Sequence, residues 1–496
     1  MAASRFLTLT QIRQIESEAE IKLDLMAEAG AMIAKWIEHN LAKASKILVL
    51  VGGGNNGGDG VAAAINLKRA GYAVSLLCVT EKINPRIDQL ITQFKQLQGQ
   101  VLVKLPKTFA KYTVIVDAIL GIGLDRDLDD QLVTLVKQVN ASGKFILAID
   151  TPTGLNPFSG GVMSTAIQAN HTLTFISDKP GFYTGDGVDL AGKVTVVPLV
   201  KLENYVLTPN HAPILGNELV QINYQALIRR HRNTNKGDFG TVAIIGGSAG
   251  MQGALHLAGR AALLMGSGKV ILGPLDSRFT KDYLYPELIV KNIKHLIKHI
   301  DQYSAIVVGP GLGLEKKAVK LLAKLIEQAP PGKLIFDADA LNILALNPEL
   351  QQKFMQLPVK VITPHPGEAA RLLATTVEAV QHNRFAAVTQ LSRRYKAIVL
   401  LKGAGSLIHD TASIFINQTG NPALASGGQG DTLCGLIVAC AAQGMELAEA
   451  LKFAVYLHGL AADDLVATTL HGYNGILASE VALSCRKLLN NILYPN

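Results

Sequence analysis

The stretch Leu424-Ala-Ser-Gly-Gly-Gln-Gly-Asp-Thr-Leu-Cys-Gly435 sets small residues and one carboxylate directly before an apolar helical run. Gly427, Gly428 and Gly430 carry no side chains, so backbone N–H groups at a helix N-terminus can face an anion. Asp431 stands where the chain turns into a helix expected over Thr432 to Gly444, placed to take a proton from a hydroxyl that attacks that anion. The same residues also fit an ordinary glycine turn with Asp431 as helix N-cap.

A loop of this kind needs a sheet whose strand ends hold it. At 496 residues the chain exceeds one compact core, so two or three domains are expected. An apolar share of 49% with 46 glycines points to a soluble, loop-rich α/β protein. One Trp and 5% aromatics argue against a base-stacking nucleic-acid surface. The net charge of +8 is spread out apart from Arg229-Arg-His-Arg232, which suits anionic small molecules. Cys78, Cys434, Cys440 and Cys485 lack CxxC spacing, which favours reduced thiols and a cytoplasmic location. No signal-peptide core follows Met1, and no apolar run is long enough for a membrane span.

In the first half, Thr8-Leu-Thr-Gln11 reads as a capping box opening a helix to about Glu20, followed by a helix from Leu25 to Ala42. The apolar run Ile47 to Val51 then enters Gly52-Gly-Gly-Asn-Asn-Gly-Gly-Asp-Gly60, with a helix over Val61 to Ala70: strand, glycine loop, helix. Gly52, Gly54 and Gly57 formally match a dinucleotide fingerprint, but Asp59 sets a negative charge where a pyrophosphate would lie. Asn55 and Asn56 bring amides that can grip a hydroxyl or offer oxygens to a cation. Further strands are read at Val74 to Val79, Thr113 to Val116, Phe145 to Ile149 and Val194 to Pro198. Val116-Asp117-Ala-Ile-Leu-Gly-Ile-Gly-Leu124 and Ile149-Asp150-Thr-Pro-Thr-Gly154 each put a carboxylate at a strand end. In an open parallel sheet these ends form the ligand crevice, so Asn56, Asp117, Asp150 and Thr153 should converge.

Thr208 to Gly216, rich in Pro and Gly, reads as a linker, and no sequence repeat relates the halves. The second half restarts with Asn235-Lys-Gly-Asp-Phe-Gly240, the strand Thr241 to Ile245 and Gly246-Gly-Ser-Ala-Gly-Met-Gln-Gly-Ala254, which lacks the Lys of a P-loop. Three more strand ends follow, at Val308-Gly-Pro-Gly-Leu-Gly313, Phe336-Asp-Ala-Asp-Ala340 and Thr363-Pro-His-Pro-Gly-Glu368. A buried strand over Ala397 to Leu401 leads into Lys402-Gly-Ala-Gly-Ser406, which suits a nucleotide's phosphates or, as plainly, a hairpin turn between Ile398 and Ile408. None of the twelve His shows HExxH spacing, and His256, His458 and His471 are open in role.

NNGGDG, VDAxxGxG and DxPxG, in this order over roughly residues 1 to 215, closely resemble the epimerase domain that repairs hydrated nicotinamide dinucleotides. The resemblance implies a Rossmann-like α/β/α domain over 1–215. In it Asn55, Asn56, Gly57, Gly58 and Asp59, with Gly121, Ile122, Gly123, Leu124, Asp125, Arg126 and Asp127, hold hydrated NAD(P)H. It also implies that Asp150 contacts the substrate near the reacting ring, and that Asn56, Asp117 and Thr153 hold K+. Gly53 stands where the family usually has proline, and Thr153 where it has serine, which keeps the hydroxyl oxygen. Water added at C6 of the reduced ring gives two epimers, exchanged either by loss and return of that hydroxyl or by ring opening; Asp150 is the acid/base candidate.

KGDFG, GPGLG, DADAL, TPHPGE, LKGAGS and GGxGD, over about Asn223 to Leu489, resemble the nucleotide-dependent dehydratase of the same repair pathway, a ribokinase-like α/β domain expected over 222–492. The resemblance implies that Lys402, Gly403, Ala404, Gly405, Ser406 and Gly430 bind ADP or ATP. Ala254, Gly313, His365 and Asp431 would face the hydrated dinucleotide, with Glu368 organising Mg2+ through water. Phosphorylation converts the poor hydroxide leaving group into a good one, with Asp431 as base and the glycine amides stabilising charge. The expected partners are NADHX, NADPHX and ADP, the latter favoured by fused bacterial chains, with a homo-oligomeric state and with no nucleic acid or membrane. A ribokinase-like small-molecule kinase with a regulatory domain, or a nucleotide sensor, are the alternatives; retention of Asp117, Asp150 and Asp431 speaks against the sensor.

Overall fold

The computed structural model describes residues 5–20, 23–124, 126–199, 214–215, 229–280, 282–328 and 333–495. The chain divides into two compact units, Met1–Ile214 and Leu215–Asn496. Most of the stretch read as a linker lies outside the described residues.

In the first unit Thr8 and Gln11 form the expected reciprocal cap, with Thr8 N donating to Gln11 Oε1 at 2.7 Å and Gln11 N donating to Thr8 Oγ1 at 3.3 Å. They open α1 (Leu9–Glu20), which α2 (Leu25–Asn40) follows. Seven parallel strands come next: β1 (Lys46–Val51), β2 (Ala73–Cys78), β3 (Gln100–Leu102), β4 (Val114–Ala118), β5 (Phe145–Ile149), β6 (His171–Phe175) and β7 (Lys193–Val197). Their order is β3-β2-β1-β4-β5-β6-β7. Strand alternation sorts the core into two layers. Ile47, Val49 and Val51 pack on one face with Ile33 of α2 and Val61 and Ile65, whereas Leu48 and Leu50 pack on the other with Leu135, Val136 and Val139. Two strands escape the sequence reading. β3 has three residues, and β6 is His171-Thr-Leu-Thr-Phe175, whose polar side chains break the apolar run although all five residues are buried.

The helix read as starting at Val61 starts earlier, as α3 (Asn55–Arg69). The expected glycine loop is therefore mostly helix. Its glycines serve packing: a Cβ at Gly57 would lie 2.1 Å from Gly52 O, and one at Gly60 would lie 2.5 Å from Ala118 Cβ. Without side chains there, α3 lies close against the ends of β1 and β4.

In the second unit β8 (Thr241–Gly246), β9 (Lys269–Pro274), β10 (Ile289–Val290), β11 (Ala305–Val308), β12 (Lys333–Phe336), β13 (Lys360–Ile362) and β14 (Ile398–Leu401) are parallel. β15 (Leu407–His409) and β16 (Ile414–Ile416) complete the sheet antiparallel, in the order β10-β9-β8-β11-β12-β13-β14-β15-β16. Val242 and Ile244 of β8 pack with Leu255 and Ala258 of α6 (Gln252–Leu264), with Leu436 and Ile437 of α9 (Gln429–Ala442), and with Phe453 and Leu457 of α10 (Leu447–Leu465). In chain order the other helices used below are α4 (Pro85–Gln96), α5 (Asp130–Asn140), α7 (Pro366–Leu373), α8 (Arg384–Tyr395), α9 (Gln429–Ala442) and α10 (Leu447–Leu465). α9 is apolar on every side and nearly all of it is buried, as a helix inside a core must be.

In both sheets the strand order reverses between two adjacent parallel strands, β1 and β4 in one and β8 and β11 in the other. At each reversal a glycine lets two loops meet backbone to backbone. A Cβ at Gly52 would lie 1.9 Å from Ile119 O, and one at Gly246 would lie 1.9 Å from Pro310 O. A switch point of this kind opens a ligand crevice at the carboxyl ends of the strands.

Close packing makes one substitution act with opposite signs in two helices. A Cβ at Gly435 of α9 would lie 2.2 Å from Ala258 O of α6, whereas Gly253 of α6 has open space around it. Gly435→Ala is expected to destabilise by about 1–3 kcal/mol despite its better helix propensity. Gly253→Ala should be neutral or stabilising by up to ~1 kcal/mol. Chemical denaturation of the two variants checks this, and equal effects would contradict the packing.

Candidate active sites

At the first switch point Asp117, the penultimate residue of β4, is fully buried. Its oxygens accept from Ile119 N at 3.2 Å, Thr153 N at 2.8 Å and Thr153 Oγ1 at 2.7 Å. Burial pushes its carboxyl up to about 6, against the pull of the Thr153 and Ile119 hydrogen bonds. Asn56, in the first turn of α3, is buried with neither Oδ1 nor Nδ2 hydrogen-bonded. A buried amide without a partner is costly, and a cation beside Asn56 Oδ1, Thr153 Oγ1 and the Asp117 carboxylate would satisfy oxygen and charge together. The donor set is hard and all oxygen, which fits an alkali ion.

Asp150 follows β5 with φ +61°, a left-handed conformation that a side chain disfavours. Its Oδ2 accepts from Ile122 N at 3.1 Å, and its Oδ1 takes Lys179 Nζ at 2.8 Å and Thr174 Oγ1 at 3.3 Å. A Cβ at Gly121 would lie 2.9 Å from Asp150 Oδ2 and 3.4 Å from Asn56 Cγ, so Gly121 keeps open the space between the two side chains. Asp59 in α3 and Glu16 in α1 add negative charge to Asp150's surroundings. Burial first, and the Asp150 charge second, push Glu16 up to about 7 and hold Asp59 well above the usual carboxylate range.

Gly123, Leu124, Arg126 and Asp127 line a cavity of ≈ 460 Å³ together with Leu120, Leu128, Asp129 and Leu132 at the start of α5. Asp125 lies outside the described residues, and Asn55 is exposed at the N-terminus of α3. Asn56, Gly121, Ile122 and Asp150 are brought together as the sequence suggests. Gly57 and Gly58 instead face inward, a Cβ at Gly58 meeting the Met26 side chain at 2.4 Å. Lys179, Thr174 and Glu16 are the participants that the sequence reading misses. Lys179-Pro-Gly after a strand was the available signal, concealed because β6 itself was not read.

At the second centre three neighbouring strands deliver Asp337 after β12, Thr363 after β13 and Lys402 after β14. Asp337 is buried and accepts from Thr363 Oγ1 at 2.7 Å, Lys402 Nζ at 2.8 Å and Cys434 Sγ at 2.9 Å. Burial opposes both charges. For Lys402 the Asp337 and Glu368 carboxylates outweigh it and hold the ammonium above its ordinary range; for Asp337 the Lys402 charge and the surrounding donors outweigh it and hold the carboxyl below. Glu368, in the first turn of α7, lies 3.9 Å from Lys402 Nζ, and burial pushes it up to about 7. Its Oε2 accepts from His365 N at 2.8 Å while His365 Nδ1 accepts from Gly367 N at 3.0 Å, a capping box with a histidine as cap.

Asp431 is the third residue of α9, and Gly428, at φ +86°, holds the N-cap position. The reading of Asp431 as cap is thus corrected: Gly428 makes the left-handed entry to this helix, where a Cβ would lie 2.5 Å from Leu257 Cδ1, and the Asp431 carboxylate does not cap it. Burial, then the Asp337 charge, push Asp431 up to about 6, with Lys402 pulling the other way. A Cβ at Gly430 would lie 3.6 Å from Lys402 Nζ, which places the glycine stretch beside the lysine. Gln429 is held from two sides, by His458 Nε2 at 3.2 Å and Ser426 Oγ at 3.0 Å. Lys402 to Ser406 is the turn of a β14–β15 hairpin, Leu401 pairing with Leu407. Its backbone is braced from beneath by fully buried Arg384, whose Nη2 donates to Leu401 O at 3.2 Å and Lys402 O at 3.3 Å. Gly313 N donates to Asp339 Oδ2 at 2.8 Å, and Asp339 also raises Asp431. Ala254 sits in the first turn of α6, beside Gly311 of the switch-point loop.

All four cysteines are free of disulfides, as expected, and no described helix is long and apolar enough to cross a membrane. Two family models match the chain, each on one unit: one described as YjeF-related protein N-terminus over residues 22–181, the other as NAD(P)H-hydrate dehydratase over 242–483. The two units thus define a fused enzyme of two α/β domains, the first with a Rossmann-like strand order and the second matching the dehydratase model. The chain is 37% identical to the bifunctional NAD(P)H-hydrate repair enzyme Nnr of Vibrio cholerae, covering 98% of both chains. It is 34% identical to the enzyme of the same name from Coxiella burnetii, covering 97% of this chain and 98% of the other. A Bacillus subtilis ADP/ATP-dependent NAD(P)H-hydrate dehydratase, co-crystallised with ATP and Mg2+, is 28% identical over 54% of this chain and 94% of its own, with a TM-score of 0.46. The chain belongs to the family of bifunctional NAD(P)H-hydrate repair enzymes. The full-length matches favour repair over the kinase and sensor readings.

The Asp337–Lys402 pair yields a coupling test. Lys402→Met leaves Asp337 buried without its counter-charge and is expected to cost about 3–5 kcal/mol. Adding Asp337→Asn should recover part of that loss, so urea denaturation of the two singles and the double must give energies that do not add; additivity would mean that the pair does not interact.

Proposed function

We propose that the first unit, residues 1–215, exchanges the R and S epimers of hydrated NADH and NADPH, and that the second, residues 222–492, dehydrates the S form at the expense of ADP. One observation carries the reading: at the carboxyl ends of each unit's parallel strands a strained or raised carboxylate stands at a lysine–aspartate pair, Asp150 itself bound to Lys179 in the first unit and Asp431 beside the Asp337–Lys402 pair in the second. Whole-length identity to bifunctional repair enzymes supports it.

In the first site Asn56 to Asp59 and the Gly121 to Asp127 loop embrace the substrate, and Asp150 Oδ2 faces the C6 hydroxyl. K+ held by Asn56, Asp117 and Thr153 would supply a fixed positive charge that orders this loop. In the second site Lys402 to Ser406 and Gly430 take the phosphates of ADP, while Ala254, Gly313 and His365 line the dinucleotide side. Asp431 accepts the hydroxyl proton as the C6 oxygen attacks the terminal phosphorus, and the bond to AMP breaks. The C6–O bond then breaks with departure of phosphate, and loss of a C5 proton restores the double bond. Mg2+ would sit on the phosphates, oriented through water by Glu368, and neutralise charge on the transferred group. Among the described residues no three His, Cys, Asp or Glu side chains gather to cage an ion, which suits a metal carried mainly by phosphates. ATP serves the same loop, with ADP the preferred donor. We place the enzyme in the cytoplasm, a reading supported by its unpaired cysteines, and as a homo-oligomer.

Given mixed epimers, ADP, Mg2+ and K+, the protein should restore the reduced-nicotinamide absorbance completely. Recovery that stops near half removes the epimerase, and no recovery removes the dehydratase. Asp431→Asn should abolish dehydration and spare epimer exchange, with Asp150→Asn doing the reverse; loss of both activities in either variant contradicts two independent sites. Since Asp431 must be ionised to accept a proton and its carboxyl is pushed up to about 6, the dehydration rate should rise with pH through about 6 and be lost below it. A pH-independent rate over that interval would rule Asp431 out as base.

A further inference from the structure

Lys179 is 1% exposed and packs its ammonium among three acceptors: Asp150 Oδ1 at 2.8 Å, Phe175 O at 3.0 Å and Thr174 Oγ1. An ammonium has three N–H donors, so every one is committed inside the protein. Lys179 therefore has none left for a substrate and acts through Asp150. The arrangement also fixes which Asp150 oxygen works. Oδ1 is held by Lys179 and Thr174, whereas Oδ2, held by the single N–H of Ile122, lies against the space that Gly121 leaves open.

Two routes exchange epimers at C6. Loss of hydroxide needs an acid to protonate the leaving oxygen; ring opening needs a base to take the hydroxyl proton. A carboxylate in a buried ion pair with a fully committed lysine has no proton to give.

We propose that Lys179 is the positioning residue that keeps Asp150 a carboxylate with Oδ2 turned to the substrate, and that the epimers exchange by base-initiated ring opening. The inference rests on the epimerase reading above. Asp150 Oδ2 takes the C6 hydroxyl proton, the C6–O bond becomes a carbonyl, and the C6–N1 bond breaks with its electron pair moving to N1. N1 conjugates with the ring alkene and carboxamide, and it takes the proton from Asp150. Rotation about the bond to the new aldehyde followed by the reverse steps closes the ring on the other face, with no net gain or loss of atoms. Glu16 of α1 and Asp59 of α3 are the acidic groups facing Asp150, with Arg13, Glu20, Asp24 and Arg86 beyond them. Protonated Glu16 is the acid that a hydroxide-loss route would require.

The two routes differ in the fate of oxygen. A single epimer of hydrated NADH, incubated with the whole protein and K+ in heavy-oxygen water without ADP, should yield the other epimer with its original oxygen. A carbonyl-trapping hydroxylamine should capture the open aldehyde only when enzyme is present. One labelled oxygen per inversion, without a trapped aldehyde, overturns the proposal. If the protein does not accelerate inversion over the enzyme-free rate, the epimerase reading itself fails and takes this inference with it; accelerated inversion with full labelling sinks ring opening alone. Lys179→Met should lower the kcat of inversion by about a hundredfold or more with KM little changed, while Lys179→Arg restores most of it. With rates referred to the folded fraction measured by circular dichroism, an unchanged kcat in Lys179→Met, or a loss that Lys179→Arg does not restore, overturns the positioning role.

Discussion

Each unit is built around a lysine ammonium brought against an aspartate away from bulk water, Lys179 with Asp150 and Lys402 with Asp337, both at 2.8 Å. Taking such ions out of water costs several kcal/mol apiece, and attraction offsets it only if the remaining donors and acceptors are also matched. That demand explains the threonines, Thr174 beside the first pair and Thr363 beside the second, and it explains why both pairs stand at strand ends. Only a parallel sheet delivers side chains from neighbouring strands to one point with so little freedom. The like-charged neighbours, Glu16 and Asp59 in one unit and Glu368 and Asp431 in the other, are then pushed upward by burial and by the carboxylate already there. The raised carboxyls are thus a by-product of burial beside an aspartate that the lysine keeps charged, with the lysine itself limiting the rise.

Much of this was legible in the sequence, and what was missed has a common physical cause. Asp117, Asp150, Lys402 and Asp431 each follow an apolar run or adjoin glycines, so local pattern is enough to mark them. Lys179 does not, because β6 hides its polar threonines and histidine inside the sheet, where tertiary partners satisfy them. Glu16 sits on a helix of unremarkable polarity and joins the cluster only through the fold. Asp337 stood within a recognised motif, yet its ion pair spans sixty-five residues in sequence, beyond anything periodicity can report.

The glycines carry a related lesson. A run such as Gly57-Gly-Asp-Gly60 has the composition of a loop but forms the opening turns of α3, since the missing side chains are needed for contact with β1, β4 and α2. Gly430 and Asp431 likewise lie inside α9. Propensity argues for a loop in both places, and close approach to the sheet or a neighbouring helix outweighs it.

The burial of α9 has a consequence for how the second site moves. Its first turn carries Gly430 and Asp431, while the rest of the helix is enclosed by α6, α10 and the sheet. A helix so enclosed belongs to the most cooperative part of a domain and opens only with it. Amide hydrogens of Leu436 to Ala441 should therefore exchange by the global route, and the backbone that carries Asp431 at their head is held with them. Motion that admits substrate must come from the loops around this fixed post, so ligand entry is a property of the rim and chemistry a property of the core.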